Sequence, residues 1–304
     1  MRGFNALQHQ NVAWDDPKAH RSLKRMAALG ANAIVFIPFL QQSASDSTVV
    51  EISNAVTGTQ LQSGIRYARK LGLHITLKPQ MLITGSWAGA IDQPDSIRWQ
   101  QWFESYSRQI VEQAKFAQQE QVQAFVIGTE LVKARQHVAW PELIKRVRQV
   151  FSGQLTYAAH NVEGVRLFPH WQLLDAVALT LYPSLGSSGE KQEMQKYVNE
   201  TLAELHDAVR AINRPLWVME VGMPSAQGAS SKPWEWHALH HAKADMILQR
   251  DALDIWLKAL DQPWINGVFI WVWYSDFSSG GRNNADYTPQ NKPAESVIRR
   301  FWDI

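Results

Sequence analysis

Short apolar runs recur along the chain, each bounded by glycine, proline, asparagine or charged residues. Runs without polar alternation are typical of parallel β-strands that are covered on both faces. The pattern predicts eight strands, over Arg2–Asn5, Asn32–Pro38, His74–Pro79, Ala124–Glu130, Leu155–Asn161, Ala176–Pro183, Leu216–Glu220 and Gly267–Tyr274.

Between these runs, apolar residues recur at the spacing of one helix face, which predicts a helix after each strand. The predicted helices cover Asp16–Leu29, Asn54–Leu71, Ser96–Gln119, Trp140–Phe151, a short segment near Gly164–Leu174, Lys191–Ile212, Trp236–Leu260 and Pro293–Trp302. Start signals support this pattern, because Asp16 and Pro17 open the first helix and Pro233 precedes the seventh.

The alternation of eight strands with eight helices predicts an α/β fold, the (β/α)8 TIM barrel. We expect one domain over residues 1–304, a length that a single barrel accommodates. A doubly wound open sheet is the alternative, but no glycine-rich phosphate loop follows the first strand. Loops after strands lie at the catalytic face of a barrel. The linker-like ones here are Gln41–Ser53, Pro183–Glu190, Pro224–Pro233 and Ser275–Lys292.

Composition disfavours several partners and chemistries. The net charge is +2 and no run of Lys and Arg occurs, so neither nucleic acid nor a membrane surface is an expected partner. No apolar stretch approaches the roughly 20 residues of a membrane span. The chain has 0 Cys, which excludes disulfides, thiolate metal sites and a cysteine nucleophile. The 14 Trp stand out, since aromatic rings fill cores and also stack on flat ligand faces.

Two predicted strands end on a glutamate, the fourth on Glu130 and the seventh on Glu220. In a closed eight-stranded barrel these ends face each other across the mouth, so both carboxylates can converge on one bond. Glycoside hydrolysis needs such a pair, because one protonated carboxyl serves the leaving oxygen and one carboxylate attacks the anomeric carbon. For either residue alone a structural role is the alternative, such as an ion pair of Glu130 with Lys133.

In these features the chain resembles the clan A glycoside hydrolases and, more narrowly, glycoside hydrolase family 113, a family of β-mannanases. The segments that carry the resemblance occur in order along nearly the whole chain. They are RGFN, LGANAIVFIPFLQQ, LGLHITLKPQM, SWAGAI, WQQWFESYSRQI, FVIGTEL, LYPSL, VMEVGMPS, KPWEW, FIWVWYSDF and NKPAESVIRRFW. The resemblance implies a cofactor-free, retaining β-glycosidase whose partner is a carbohydrate, a β-mannan-like polysaccharide or oligosaccharide. The alternatives are a clan A glycosidase of different sugar specificity and a silent barrel that only binds or organises polysaccharide.

The resemblance also implies roles for individual residues. Glu130 would be the general acid/base and Glu220 the nucleophile. Tyr182, at the end of the sixth strand, would hydrogen-bond Glu220 and keep it ionised. Trp271, on the eighth strand, would form the floor of the subsite for the attacked sugar.

One position departs from the clan. Many clan A enzymes have Asn before the acid/base, where it binds the sugar 2-hydroxyl, and this chain has Thr129 there. A hydroxyl cannot donate two hydrogen bonds as an amide can. Either His160 or Asn161, at the end of the fifth strand, would then take over the contact, or the sugar differs in its 2-substituent.

Aromatic residues near strand ends are candidates for sugar stacking. They are Trp14, Trp87, Trp234, Trp236, Trp271, Trp273 and Tyr274, and we select Trp87 and Trp271 as the pair that faces ligand. Those inside helical patterns, Trp99, Trp102, Trp256 and Trp302, are expected to pack between helix and barrel. Lys78, at the end of the third strand, would either donate to a sugar hydroxyl or form a salt bridge inside the barrel mouth.

Metal and serine chemistry have less support. His237, His240 and His241 have the spacing of one helix face, but nothing completes a metal motif and the first strand lacks an HxH pair. We therefore expect no metal. No G-x-S-x-G motif occurs, which disfavours a serine hydrolase. The N-terminal segment lacks the apolar core of a signal peptide, but a removed leader would leave the same start, so a cytoplasmic and an exported location both stay open. The sugar, the linkage, the endo or exo mode and the oligomeric state also stay open.

Overall fold

Eight parallel strands close into a barrel in the computed structural model, which describes residues 1–236 and 241–302. Strands β1 to β8 span Arg2–Leu7, Ala33–Phe36, His74–Leu77, Ala124–Thr129, Gln154–His160, Val177–Leu181, Leu216–Val221 and Ile265–Tyr274. Consecutive strands pair in parallel, and β8 pairs with β1 to complete the ring. The predicted (β/α)8 fold is confirmed.

Helices α1 to α8 cover Pro17–Ala27, Gly58–Lys70, Ser96–Gln119, Trp140–Arg148, Asn161–Leu167, Lys191–Val209, Met246–Ala259 and Ala294–Trp302. The first begins as predicted, because the Asp16 side chain accepts a hydrogen bond from the Lys18 amide at 2.7 Å. The predicted start of the seventh at Trp236 is wrong. Asp245 caps α7 by accepting from the Leu248 amide at 2.9 Å. His241 lies ahead of this helix, and His237 and His240 lie outside the described residues.

Side chains along the strands alternate between the inside of the barrel and the helix layer. On β2, Ala33 and Val35 belong to the inner cluster, whereas Ile34 and Phe36 pack in the outer core with the helices. Small residues predominate inside, where only Trp217 and Phe269 are aromatic among the described members of the inner cluster. The interior becomes polar towards the carboxyl ends, where buried Lys78 and Glu220 lie.

Two aromatic residues that the sequence placed near the cleft belong to the core instead. Trp14 packs edge-on against Phe36, and Trp273 donates its indole N–H to Ser22 at 2.8 Å. The helical residues Trp102, Trp256 and Trp302 are buried as predicted, and Trp99 packs against the core while remaining partly exposed. No helix in the part of the chain that the structure describes is long and apolar enough to span a bilayer.

A three-stranded sheet stands on the barrel mouth beyond β2 and β3. Its central strand, Phe39–Gln42, pairs in parallel with Gln80–Ile83 and antiparallel with Glu51–Ile52. The predicted loop Gln41–Ser53 therefore contains strand residues. Two of these strands are separated from the preceding barrel strand by only two residues, and the third has two residues, so no separate apolar run reveals them. We call the unit the side sheet.

Candidate active site

A cleft of about 1780 Å³ opens at the carboxyl ends of the barrel strands, with the side sheet as one wall. Pockets for single small molecules usually measure roughly 300–1,000 Å³, so this cleft has room for several sugar units. Aromatic and aliphatic side chains line it, including Val49, Leu82, Trp87, Tyr182, Trp234, Trp236, Trp271 and Tyr287. Glu130 and Glu220 both lie in its lining.

Glu220, on β7, is 5% exposed and accepts hydrogen bonds on both carboxylate oxygens. Oε1 accepts from the Lys78 ammonium and, at 2.7 Å, from the Gln80 amide. Oε2 accepts from the Tyr182 hydroxyl at 3.0 Å. Burial raises the pKa of Glu220 above its ordinary value, and the charge of Glu130 raises it further. The Lys78 charge opposes this shift.

Lys78 is 0% exposed and pairs with Glu220, which matches the salt bridge considered from the sequence. No surface remains for contact with a sugar hydroxyl. Its ammonium also lies 5.3 Å from the ring centre of Trp271. Burial lowers the pKa of Lys78, whereas the charge of Glu220 opposes that shift.

Glu130 follows β4 directly and has a φ of 55°, in the left-handed region that costs a non-glycine residue about 1–2 kcal/mol. Its Oε1 accepts from Thr180 at 2.6 Å and lies 3.0 Å from His160 Nδ1. Burial would raise the pKa of Glu130, but His160, Thr180 and the charge of Lys78 together lower it below the ordinary value. Among the described residues, none donates to Oε2.

Residues at the end of β5 surround the Glu130 carboxyl. Asn161 accepts from the Tyr182 backbone amide at 2.9 Å, and its Nδ2 lies 3.1 Å from His160 Nε2. Both candidates for the 2-hydroxyl contact thus already hold protein partners. By contrast, Thr129 Oγ1 and Trp271 Nε1 are buried and lack a hydrogen-bond partner within residues 1–236 and 241–302. Buried polar atoms are usually paired, so these two are suited to hydroxyls of a bound sugar.

Aromatic rings of the cleft lining contact residues next to the carboxylates. Trp87 is 46% exposed, and its ring centre lies 5.1 Å from that of His160. Trp236 packs on Trp271 and Tyr287, with ring centres 6.0 and 4.7 Å away. Exposed apolar rings of this kind bind the flat faces of sugars.

Two contacts to the carboxylates were not predicted from the sequence. Thr180 precedes Tyr182 by two positions on one predicted strand, so it shares a strand-face direction with a residue that was selected, and the two-residue period could have found it. Gln80 lies beyond the predicted end of its strand at Pro79 and begins the side-sheet strand Gln80–Ile83, so the period gave no signal for it. In the described part of the chain, no group of three His, Asp or Glu side chains could hold a metal ion.

Comparison with known proteins agrees with this geometry. The sequence model of Glycoside Hydrolase Family 113 matches residues 4–292. A solved complex of a family 113 β-1,4-mannanase is 25% identical with a TM-score of 0.87, covering 99% of this chain and 97% of that one. The family 113 β-mannanase AaManA from Alicyclobacillus acidocaldarius, in complex with ManMIm, is 25% identical with a TM-score of 0.86, covering 99% and 96%.

A more distant structure shares the fold alone. The β-glucuronidase from Ruminococcus gnavus is 14% identical with a TM-score of 0.62, and the match covers 100% of this chain and 50% of that one. A search of curated protein sequences found no significant match. The match to the family sequence model extends over nearly the whole barrel, including both strand-end glutamates, and the chain therefore belongs to glycoside hydrolase family 113.

Proposed function

We propose that this glycoside hydrolase cleaves β-1,4-linked mannan by a retaining double displacement, with Glu130 as acid/base and Glu220 as nucleophile. The observation that carries the proposal is the placement of both strand-end glutamates in one cleft, each held by its own donors. The family 113 structures named above are β-mannanases, which supports the choice of sugar.

In the first step a Glu220 oxygen attacks the anomeric carbon while the bond to the leaving oxygen breaks. The proton of Glu130 passes to that oxygen, so the leaving sugar departs as an alcohol. Lys78, Gln80 and Tyr182 fix the attacking carboxylate in one orientation. The product of this step is a glycosyl ester on Glu220 and an ionised Glu130.

In the second step water attacks the anomeric carbon and gives a proton to Glu130. The ester bond breaks, Glu220 leaves as a carboxylate, and the sugar keeps its β configuration. One carboxylate is charged at each stage, and the Lys78 charge lowers the pKa of both. The site therefore keeps the same net charge through the cycle.

In the free protein the pKa shifts of the two carboxylates run opposite to their proposed roles. Burial raises the pKa of Glu220 and the donors around Glu130 lower its pKa, whereas cleavage needs Glu220 ionised and Glu130 protonated. A sugar that covers Glu130 removes water from that carboxyl, and desolvation raises its pKa. Substrate binding thus moves Glu130 towards the acid form in which it acts.

The experiment that tests the proposal combines stereochemistry with labelling. Proton NMR during hydrolysis of a β-1,4-manno-oligosaccharide should show the β-anomer first. A 2-deoxy-2-fluoro-mannoside with a good leaving group should label Glu220, located by peptide mapping. An α-anomer as first product, or tight glycan binding without labelling or turnover, would contradict the proposal, and the second result would favour the silent barrel.

Replacing Lys78 by Met should shift the pH dependence of hydrolysis. Lys78 lowers the pKa of Glu220, so its removal raises that pKa further and reduces the ionised fraction at any given pH. We expect the kcat/KM profile on manno-oligosaccharide to move to higher pH and its maximum to fall. Lys133→Met, which removes an exposed lysine outside the cleft lining, is the control and should keep the native profile. An unshifted profile in Lys78→Met would refute the role of this ion pair.

Charge in the cleft should select neutral sugars. The carboxylates in its lining are Glu51, Glu130, Glu220 and Glu235, and the described lining residues include no Lys or Arg. Lys78 offsets Glu220 and Lys232 lies 2.9 Å from Glu235, which leaves an excess of negative charge.

Poly-β-1,4-mannuronate carries a carboxylate at C6 where β-1,4-mannan has a hydroxymethyl group. It should therefore be cleaved at least roughly fivefold more slowly, since repulsion between unit charges near 4 Å costs about 1 kcal/mol or more. Initial rates on oligomers of matched length measure the ratio. Added salt should narrow the difference because it screens repulsion. Equal rates at low salt would show that the cleft does not discriminate by charge.

A further inference from the structure

A chain of hydrogen bonds behind Glu130 fixes the orientation of the Asn161 side chain. The backbone N–H of Tyr182 lies 2.9 Å from one amide atom of Asn161. A backbone N–H only donates, so that atom must be the oxygen, and the other atom must be the NH2 group. The NH2 group therefore lies 3.1 Å from His160 Nε2.

This orientation determines the tautomer of His160. The Asn161 NH2 group only donates, so His160 Nε2 must accept and cannot carry a proton. A neutral imidazole then has its proton on Nδ1, which lies 3.0 Å from Glu130 Oε1. In an imidazolium Nε2 would carry a proton too. Two donors would then face each other, and the hydrogen bond between Asn161 and His160 would be lost.

The His160 tautomer determines which oxygen of Glu130 can carry a proton. Oε1 accepts from His160 Nδ1 and from the Thr180 hydroxyl, the latter at 2.6 Å. An oxygen that accepts two such bonds is a poor site for a further proton, whereas Oε2 receives no donor from the described residues. The proton of the acid form therefore belongs on Oε2.

We propose that His160 is a positioning residue, held as the neutral Nδ1–H tautomer by Asn161, and that it directs the acid proton of Glu130 to Oε2. This inference rests on the proposed acid/base role of Glu130. Asn161 fits the task because its φ is 52°, in the left-handed region that Asn and Asp tolerate better than most residues. Asp at this position would keep the backbone and lose the donor.

Nitrogen-15 NMR of the 304-residue chain measures the His160 tautomer directly. The His160 ring should show a protonated Nδ1 and an unprotonated Nε2. The His160→Gln variant assigns the signals among the 10 His residues. A proton on Nε2 in the native protein would overturn the proposal.

Asn161→Asp is the decisive variant. Its carboxylate still accepts from Tyr182 but now also accepts from His160 Nε2, so that nitrogen should become protonated and the ring should become an imidazolium. The new carboxylate and the imidazolium cancel in net charge, but the imidazolium is the group that hydrogen-bonds Glu130, through Nδ1, and it therefore stabilises the ionised form of Glu130. The Lys78 charge already lowers the pKa of Glu130. We expect kcat/KM on mannan to fall about tenfold or more, and on an aryl mannoside with a good leaving group much less.

Asn291→Asp provides the matched control, because Asn291 has a φ of 58° and lies outside the cleft lining. It should leave the His160 signals and the leaving-group dependence unchanged. If Asn161→Asp leaves His160 Nε2 unprotonated, or lowers kcat/KM equally on mannan and on the aryl mannoside, the proposal is wrong. The tautomer is measured without turnover, so failure of Glu220 labelling would count against the proposed function and not against the state of His160.

Discussion

Glu220→Gln should lower kcat on β-mannan by roughly 10⁴-fold or more, the scale of loss seen when a covalent nucleophile is removed. The amide keeps the size of the side chain but cannot form the glycosyl ester. Its oxygen and NH2 group can still reach the donors and acceptors at the barrel mouth, so the binding of oligosaccharide should persist. Initial rates on mannan, with oligosaccharide affinity measured by calorimetry, separate loss of chemistry from loss of binding.

The same substitution should also destabilise the protein, and the fold offers a way to separate the two effects. Glu220→Gln leaves the buried Lys78 ammonium without its partner, which costs about 3–5 kcal/mol when one member of a buried pair is removed. The double variant Lys78→Met and Glu220→Gln removes both charges and should regain much of that stability in urea unfolding. It should remain inactive. Undiminished activity in either variant would exclude Glu220 as the nucleophile.

The position of both glutamates was readable from the sequence because each ends an apolar run. Strand β4 was predicted to end at Glu130 and ends at Thr129, and β7 was predicted to end at Glu220 and ends at Val221. Strands buried on both faces tolerate no charge before the barrel mouth, so the first carboxylate marks the mouth. The fold and the candidate pair therefore follow from local pattern and strand count.

The partners of those glutamates were less predictable, because they depend on contacts between distant strands. Thr180 reaches Glu130 across 50 positions of the chain and Gln80 reaches Glu220 across 140. The two-residue strand period gives the face of each side chain but not the register between neighbours. The start of α7 was missed for a related reason, since the cap at Asp245 decides it and apolar spacing upstream resembles a helix.

Removal of Glu130 should affect substrates according to their leaving groups. Glu130→Ala should lower kcat/KM on β-mannan by about 10²–10⁴-fold, because a sugar alkoxide leaves poorly without a proton. An aryl mannoside whose phenol is acidic needs no proton, so its kcat/KM should stay near the native value. Its kcat should fall instead, since water lacks a base in the second step and the glycosyl ester accumulates as a burst of phenol.

Azide distinguishes this role from a general loss of structure. As an anion it needs no base, so it should restore turnover of the aryl mannoside in Glu130→Ala and yield a β-mannosyl azide by attack on the Glu220 ester. Glu130→Gly is the matched variant, because glycine accepts the φ of 55° without the strain that alanine retains there. If backbone strain caused the loss, Gly and Ala would differ in kinetics; if the carboxyl matters, both should show the same leaving-group dependence and the same azide product. Equal losses of kcat/KM on mannan and on the aryl mannoside would exclude Glu130 as the general acid. The proton would then have to come from another group in the cleft.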